Sequence, residues 1–149
     1  MKLKKATKIA RRGGVLSQVA ALPYRRSGPA TVHFLLLTSR ETKRFVIPKG
    51  WRMKGKSDAQ AAAREAGQEA GVGGRIDPVP IGTYRYWKRL RRTFVPVSVT
   101  VYGLEVEDEL DNWKERGERS REWLTREQAI SLVDEPELVT LIAGFTPPA

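Results

Sequence analysis

Residues 50–72 read GWRMKGKSDAQAAAREAGQEAGV, a glycine-containing loop that runs into an alanine-rich segment closed by glycine. Ala59, Ala61, Ala62 and Ala63 are strong helix formers, Ser57 with Gln60 fits the S-x-x-Q capping box, and Asp58 suits the positive end of a helix dipole. The pattern predicts a helix over 58–70. Side chains three and four apart share a helical face, so Glu65, Gln68 and Glu69 point the same way, with Arg64 beside them and Gly71 ending the element. Hydrolysis of a diphosphate bond is mainly a problem of charge, and clustered carboxylates meet it by holding a divalent cation. Magnesium takes one or two carboxylates, with waters and substrate phosphates completing its shell. Gly67 inside the helix costs about 1 kcal/mol relative to alanine. The sequence leaves open whether another backbone approaches it.

Upstream of this segment, residues 15–24 read as a strand and residues 32–38, VHFLLLT, as a buried one, with a turn over 25–29 between them. Residues 45–47 form a short strand stopped by Pro48, and residues 49–56 a loop. Downstream, residues 75–87 and 93–106 read as two long strands rich in Val, Tyr, Thr and Ile, joined as a second hairpin. Residues 121–124 add a short strand. Thr125 with Gln128 repeats the capping box ahead of a helix through Val133, and Pro136 opens an apolar helix with Leu138, Leu141, Ile142 and Phe145. Mixed strands with one central and one or two C-terminal helices make an α+β layout.

A chain of 149 residues with 40% hydrophobic content is long enough for one domain with a real core. The reading is a basic, flexible N-terminal tail over 1–13 and a single domain over 14–146. Cysteine is absent, which excludes disulfides and thiolate metal sites and suits a reducing compartment. No apolar run reaches the roughly 18 residues of a membrane span, so a cytoplasmic protein with no membrane partner is expected. Six cations of the +10 net charge fall in the first twelve residues with no acid among them, which leaves +4 for the rest. That tail reads as a solvated extension, with a nucleic-acid or membrane contact as the alternative. Arg85, Lys88, Arg89, Arg91 and Arg92 crowd together with Tyr84, Tyr86 and Trp87 interleaved, and a polyanion is their natural complement.

At Gly50, Arg64, Glu65, Glu69, Gly71 and Val72 the chain resembles the box of the Nudix hydrolases, G-x5-E-x7-R-E-U-x-E-E-x-G-U, with U a bulky apolar residue. It departs from the pattern at Lys56, which stands at the first glutamate, at the small Ala66, and at Gln68, which replaces the first glutamate of the pair. The resemblance implies an α/β/α sandwich with a mixed sheet and magnesium, or manganese, as cofactor. It implies Glu69 as metal ligand, Glu65 as ligand or base, the Gly50 carbonyl as a further ligand, and Arg64 as the group that orients a helix carboxylate. Gln68 keeps the length of glutamate without its charge and is a poorer ligand for a hard cation. Loss of one such group costs roughly 10²- to 10³-fold in rate. An outside carboxylate is sought among Glu105, Glu107, Asp108, Glu109 and Asp111, for which a solvated acidic loop is the alternative.

Beyond the box the chain resembles the diphosphoinositol polyphosphate phosphohydrolase branch and its bacterial relatives. The likeness rests on QVAALPYR, TSRETKRFVIPKGW, GTYRYWKRLRRTFVPVSVTVY and DNWKERGERSREWLTREQAI. In that branch basic residues clamp phosphates, which makes Arg40, Arg44, Lys49, Arg85, Lys88, Arg89, Arg92, Arg119 and Arg121 the substrate-binding candidates. The expected activity is hydrolysis of a diphosphate bond in a dinucleoside polyphosphate or diphosphoinositol polyphosphate. Two alternatives stand: a catalytically impaired domain that binds a phosphorylated ligand or partner, and an RNA 5′-end pyrophosphohydrolase, the last ranked lowest because no RNA-binding module is legible. Oligomeric state is not encoded legibly.

Overall fold

Among the described residues eight strands and four helices follow one another, and what places them is a pair of long strands running side by side. In the computed structural model, which describes residues 1–40 and 44–149, β1 (Leu16–Gly28) lies parallel to β7 (Thr93–Glu109), with Leu16 opposite Val97 and Tyr24 opposite Glu105. Residues 41–43, within the TSRETKRFVIPKGW stretch, lie outside the described residues. Val19–Tyr24 of β1 and Val101–Leu104 of β7 are buried on both faces, as the middle of a covered sheet requires. On one side β2 (Thr31–Thr38) pairs antiparallel with β1, followed by β3 (Phe45–Val46) and β8 (Arg121–Thr125). On the other, β5 (Val72–Ile76) and β6 (Gly82–Leu90) pair antiparallel with different stretches of β7.

The sheet is covered on both faces, as an α/β/α sandwich requires. Helix α2 (Asp58–Ala70) lays Ala59, Ala61, Ala62, Ala66 and Ala70 against Val19, Ala21, Leu35, Leu37 and Leu104. Small side chains bring the helix close to the sheet, so Ala66, where the box has a bulkier apolar residue, is fully buried. The opposite face packs on α1 (Leu3–Arg11), α3 (Arg126–Leu132) and α4 (Pro136–Gly144) through Ala6, Ala129, Leu138 and Ile142. Phe145 closes that layer, with ring centroids 4.8 Å from Tyr24 and 5.8 Å from Phe34.

The box helix has the expected bounds, and both capping boxes are present: Gln60 N donates to Ser57 Oγ at 3.1 Å, and Gln128 N to Thr125 Oγ1 at 3.1 Å. Gly71 ends α2 in the left-handed conformation, φ 66°. A Cβ on Gly67 would meet nothing nearer than Val72 O at 3.9 Å, so no backbone presses on that glycine.

Four expectations are corrected. The segment expected as a flexible, solvated tail holds a helix, Leu3–Arg11, whose Ala6 is buried with Leu3, Ile9 and Ala10 packed around it. The strand expected over 75–87 is two strands, because Pro78 and Pro80 lack ladder donors and Asp77 Oδ1 accepts from Val79 N at 2.9 Å to form a turn. Residues 25–28, expected as turn, continue β1, and the reversal falls at residues 29–30. The loop over 49–56 begins with a short strand, β4 (Lys49–Trp51), in which Gly50 pairs with Val19 of β1.

Candidate active site

Where β4 crosses the C-terminal half of α2, the backbone of one and the carboxylates of the other meet. Glu69 is 7% exposed, on the side of α2 that carries Ala62 and Ala66, and its Oε1 accepts from Lys49 N at 3.4 Å. Glu65 lies one turn earlier and fills the space beside Gly50, where a Cβ would sit 2.4 Å from the Glu65 carboxyl carbon. Only a glycine admits that carboxylate. The expected convergence of Gly50, Glu65 and Glu69 is therefore present, and an amphipathic helix set close to the sheet produces it.

Burial pushes the Glu69 carboxyl up to about 8, against the pull of the Arg119 guanidinium, and its hydrogen bond with Glu65 pushes the same way. Burial raises Glu65 as well, while the hydrogen bond from Glu69 holds it down and Glu115 raises it further. Two carboxyl groups that share a proton in a half-dry site are a donor set that a divalent cation would complete by displacing that proton. Glu65 and Glu69 thus fit such an ion. Among the described residues no cluster of three acidic or histidine side chains is placed to hold a metal. At Gln68 the box pattern's carboxylate is missing, and with the amide oxygen turned toward the guanidinium the side chain accepts from Arg64 Nε at 2.9 Å and Nη2 at 3.3 Å. Arg64 therefore pairs with the amide rather than with a box carboxylate.

Cations gather around this pair selectively. Arg119 Nη2 lies 3.9 Å from Glu69 Oε1, while its Nε donates to Glu115 Oε1 at 2.9 Å and its Nη1 to Thr38 O at 3.2 Å. Arg40 extends the network, 4.0 Å from Glu115 and 3.8 Å from Glu118. Burial pushes the Lys49 ammonium down to about 8 against the pull of Glu69 and Glu135, and it sits 5.1 Å from the Tyr86 ring centroid. Lys88 stands 5.9 Å from the ring of Trp51. Arg44 pairs with Asp134 at 3.2 Å and lies 3.9 Å from Glu135.

The other four candidates go elsewhere. Arg85 and Arg89 are exposed, on the side of β6 opposite Tyr84, Tyr86 and Lys88. Arg92 lines a separate groove against α1. Arg121 donates to Ala70 O at 2.8 Å, Gly71 O at 3.3 Å and Leu110 O at 2.8 Å, and its guanidinium lies 4.1 Å from the Trp113 ring centroid. It caps the box helix.

Two acids near the site have no counterpart in the sequence reading. Glu115 and Glu135 reach it from the loop before β8 and the link between α3 and α4. Glu135 Oε2 is buried without a hydrogen-bond partner among the described residues. Of the acidic group sought instead, Glu105 pairs with Arg26 at 2.8 Å and Glu109 accepts from Trp123 Nε1 at 2.8 Å. Nothing local marks Glu135: before Pro136 it reads as the start of a helix.

The fold and its helix agree with what known proteins show. The NUDIX domain family matches residues 16–144. Nudix hydrolase 16, mitochondrial, of Arabidopsis thaliana is 32% identical over 119 residues, covering 76% of this chain and 66% of the relative. Diphosphoinositol polyphosphate phosphohydrolase 2 of Rattus norvegicus is 31% identical over 124 residues, covering 82% and 65%. The chain spans about half to two thirds of the length of the curated relatives it matches. Among solved structures, the C. elegans Ap4A hydrolase binary complex superposes with a TM-score of 0.63 at 23% identity, over 87% of this chain and 93% of that one, a likeness of fold. No helix among the described residues is long and apolar enough to cross a membrane. On the matched span, the box residues and the sandwich around them, the chain belongs to the NUDIX domain family.

Proposed function

We propose that this chain is a magnesium-dependent hydrolase that cleaves a diphosphate bond in a polyphosphorylated small molecule of the dinucleoside polyphosphate or diphosphoinositol polyphosphate type. The observation that carries the reading is the half-dry Glu65–Glu69 pair beside Gly50, ringed by Lys49 and Arg119. Glu65, Glu69 and the Gly50 carbonyl would hold the ion. Magnesium, with manganese as substitute, would supply charge neutralisation at the phosphate oxygens and a more acidic bound water. Arg119 presents a guanidinium suited to bidentate phosphate binding, held in place by Glu115 and the Thr38 carbonyl. Lys49 adds a point charge, and Arg40, Arg44 and Lys88 extend the positive rim. Trp51, with Lys88 near its ring, offers a face for a nucleobase. The relatives' names support this class of substrate, since one is a diphosphoinositol polyphosphate phosphohydrolase and another an Ap4A hydrolase. The cysteine-free composition suits the cytoplasm.

A second reading, a phospholigand-binding domain with impaired chemistry, is favoured by Gln68, whose amide is engaged by Arg64, and by Lys56. Phosphate release from diadenosine polyphosphates and a diphosphoinositol polyphosphate, with magnesium or manganese, separates the two. On the first reading the native chain turns over and Glu69→Gln lowers the rate by roughly 10²-fold or more. Turnover seen only after Gln68→Glu supports the second and rejects the first.

A further inference from the structure

We propose that the groove between α1 and the β6–β7 hairpin is a binding surface for single-stranded nucleic acid. Its volume is about 1460 Å³, and Lys49, Glu69 and Arg119 are not among the residues that line it. On α1, Lys4, Lys8 and Arg11 follow the i, i+4, i+7 spacing of one helical face, while Ala6 faces the core. Across the groove stand Arg91 and Arg92 at the hairpin turn. No acidic side chain is among the described residues that line it. Among the described residues these cations form no ion pair, and the surface attracts a polyanion.

Two rings decide which polyanion. Trp87 is 68% exposed and Phe94 61% exposed, both on the groove wall. Trp87 pairs with Pro96, and Phe94 lies two residues along the same strand, so both rings rise from one face of the hairpin. Large exposed aromatics interleaved with cations offer stacking platforms beside phosphate contacts, the combination that holds unpaired bases. A compact polyphosphate has no use for the rings, and a duplex keeps its bases stacked inside. A membrane fits poorly: the apolar side of α1 already packs on the core, and the rings wall a concavity rather than crown a protrusion.

The test is fluorescence anisotropy of labelled oligouridylate and oligothymidylate with the full chain at varied salt, with duplex DNA, inorganic polyphosphate and phosphatidylserine vesicles as competitors. Five phosphate contacts, at Lys4, Lys8, Arg11, Arg91 and Arg92, predict an affinity loss of about 130-fold between roughly 50 and 200 mM salt. Lys8→Gln with Arg11→Gln should flatten the salt slope by about 1.4, and Trp87→Ala should weaken binding by roughly 5- to 150-fold. All three side chains are exposed, and circular dichroism checks that each variant folds. Absence of oligonucleotide binding, displacement by vesicles or polyphosphate at lower concentration than by unlabelled strand, or binding indifferent to loss of both Trp87 and Phe94 would each overturn the proposal. The outcome does not depend on diphosphate hydrolysis, so either reading can fail alone.

Discussion

A single hydrogen on the Gly50 Cα is what lets β4 and the box helix share a site. A methyl group there would meet the Glu65 carboxyl group at 2.4 Å, at the far end of a flexible side chain rather than at backbone. The clash is relieved by swinging Glu65 away. Gly50→Ala is therefore expected to fold with a stability change below about 1 kcal/mol, while magnesium or manganese affinity, measured by calorimetry, drops about tenfold or more. Unchanged cation affinity with a lowered melting temperature would mean that Glu65 does not serve the ion. Gln68 belongs to the same scale. Its amide can partner Arg64 at 2.9 Å but brings no charge toward a cation.

At the scale of elements, the decisive contact is between the C-terminus of α2 and the loop before β8. The last carbonyls of a helix need partners, and Arg121 supplies one guanidinium to Ala70 O, Gly71 O and Leu110 O. Trp113 adds a bond from Nε1 to Glu69 O at 3.1 Å and packs where a Gly71 side chain would go. Glu115 N donates to Gln68 O at 3.1 Å, so the loop that delivers Arg119 is tied to the helix that carries Glu69. Arg121→Ala should cost about 2–3 kcal/mol, through lost charge-assisted bonds to backbone, which for a domain of this size lowers the melting temperature by roughly 5–10 °C. KM at permissive temperature should stay near native. A large KM effect without a stability loss would return Arg121 to the substrate site. The same loop shows where reading by periodicity stopped: KERGERSR has neither strand nor helix pattern, so nothing local placed Glu115 beside Glu65.

Across the whole molecule, buried charge makes the metal-free protein pH-sensitive. Glu69 binds its proton more tightly folded than unfolded, so the stability this gives is fully present below the ordinary carboxylate range and is lost as pH rises to about 8. Glu65 and Glu135, also raised by burial, act in the same direction. Lys49, pushed down to about 8, is protonated in both states below about pH 7 and adds little slope there, and as pH nears 8 it loses its proton first in the folded, buried site, which opposes part of the Glu69 slope. Melting of the metal-free chain between pH 5 and 8 should therefore show stability falling, by up to about 1.4 kcal/mol per pH unit from Glu69 alone. Glu69→Gln should flatten the slope, and added magnesium should restore stability most at the alkaline end, where the carboxylates are free to bind it. A flat native profile would show that Glu69 is not held protonated.

The bounds of α2, both capping boxes, the shared face of Glu65 and Glu69 and most of the strand order were legible in the chain, while α1, β4 and the break between β5 and β6 were not, and Gly50 entered the site only through the family resemblance. What was legible depends on local rules: alternation, helical spacing and cap chemistry. The charge clusters were legible as composition but not as places. Arg85, Lys88 and Arg89 look equivalent in sequence, yet strand alternation puts Lys88 near Trp51 and turns the two arginines to the opposite side. Arg121 and Arg119 are two residues apart, and one caps a helix while the other faces Glu69. Glu115, Glu135 and the groove on α1 arise only when distant segments pack, because burial, which sets both the pKa of a carboxylate and the exposure of a ring, belongs to the assembled layers.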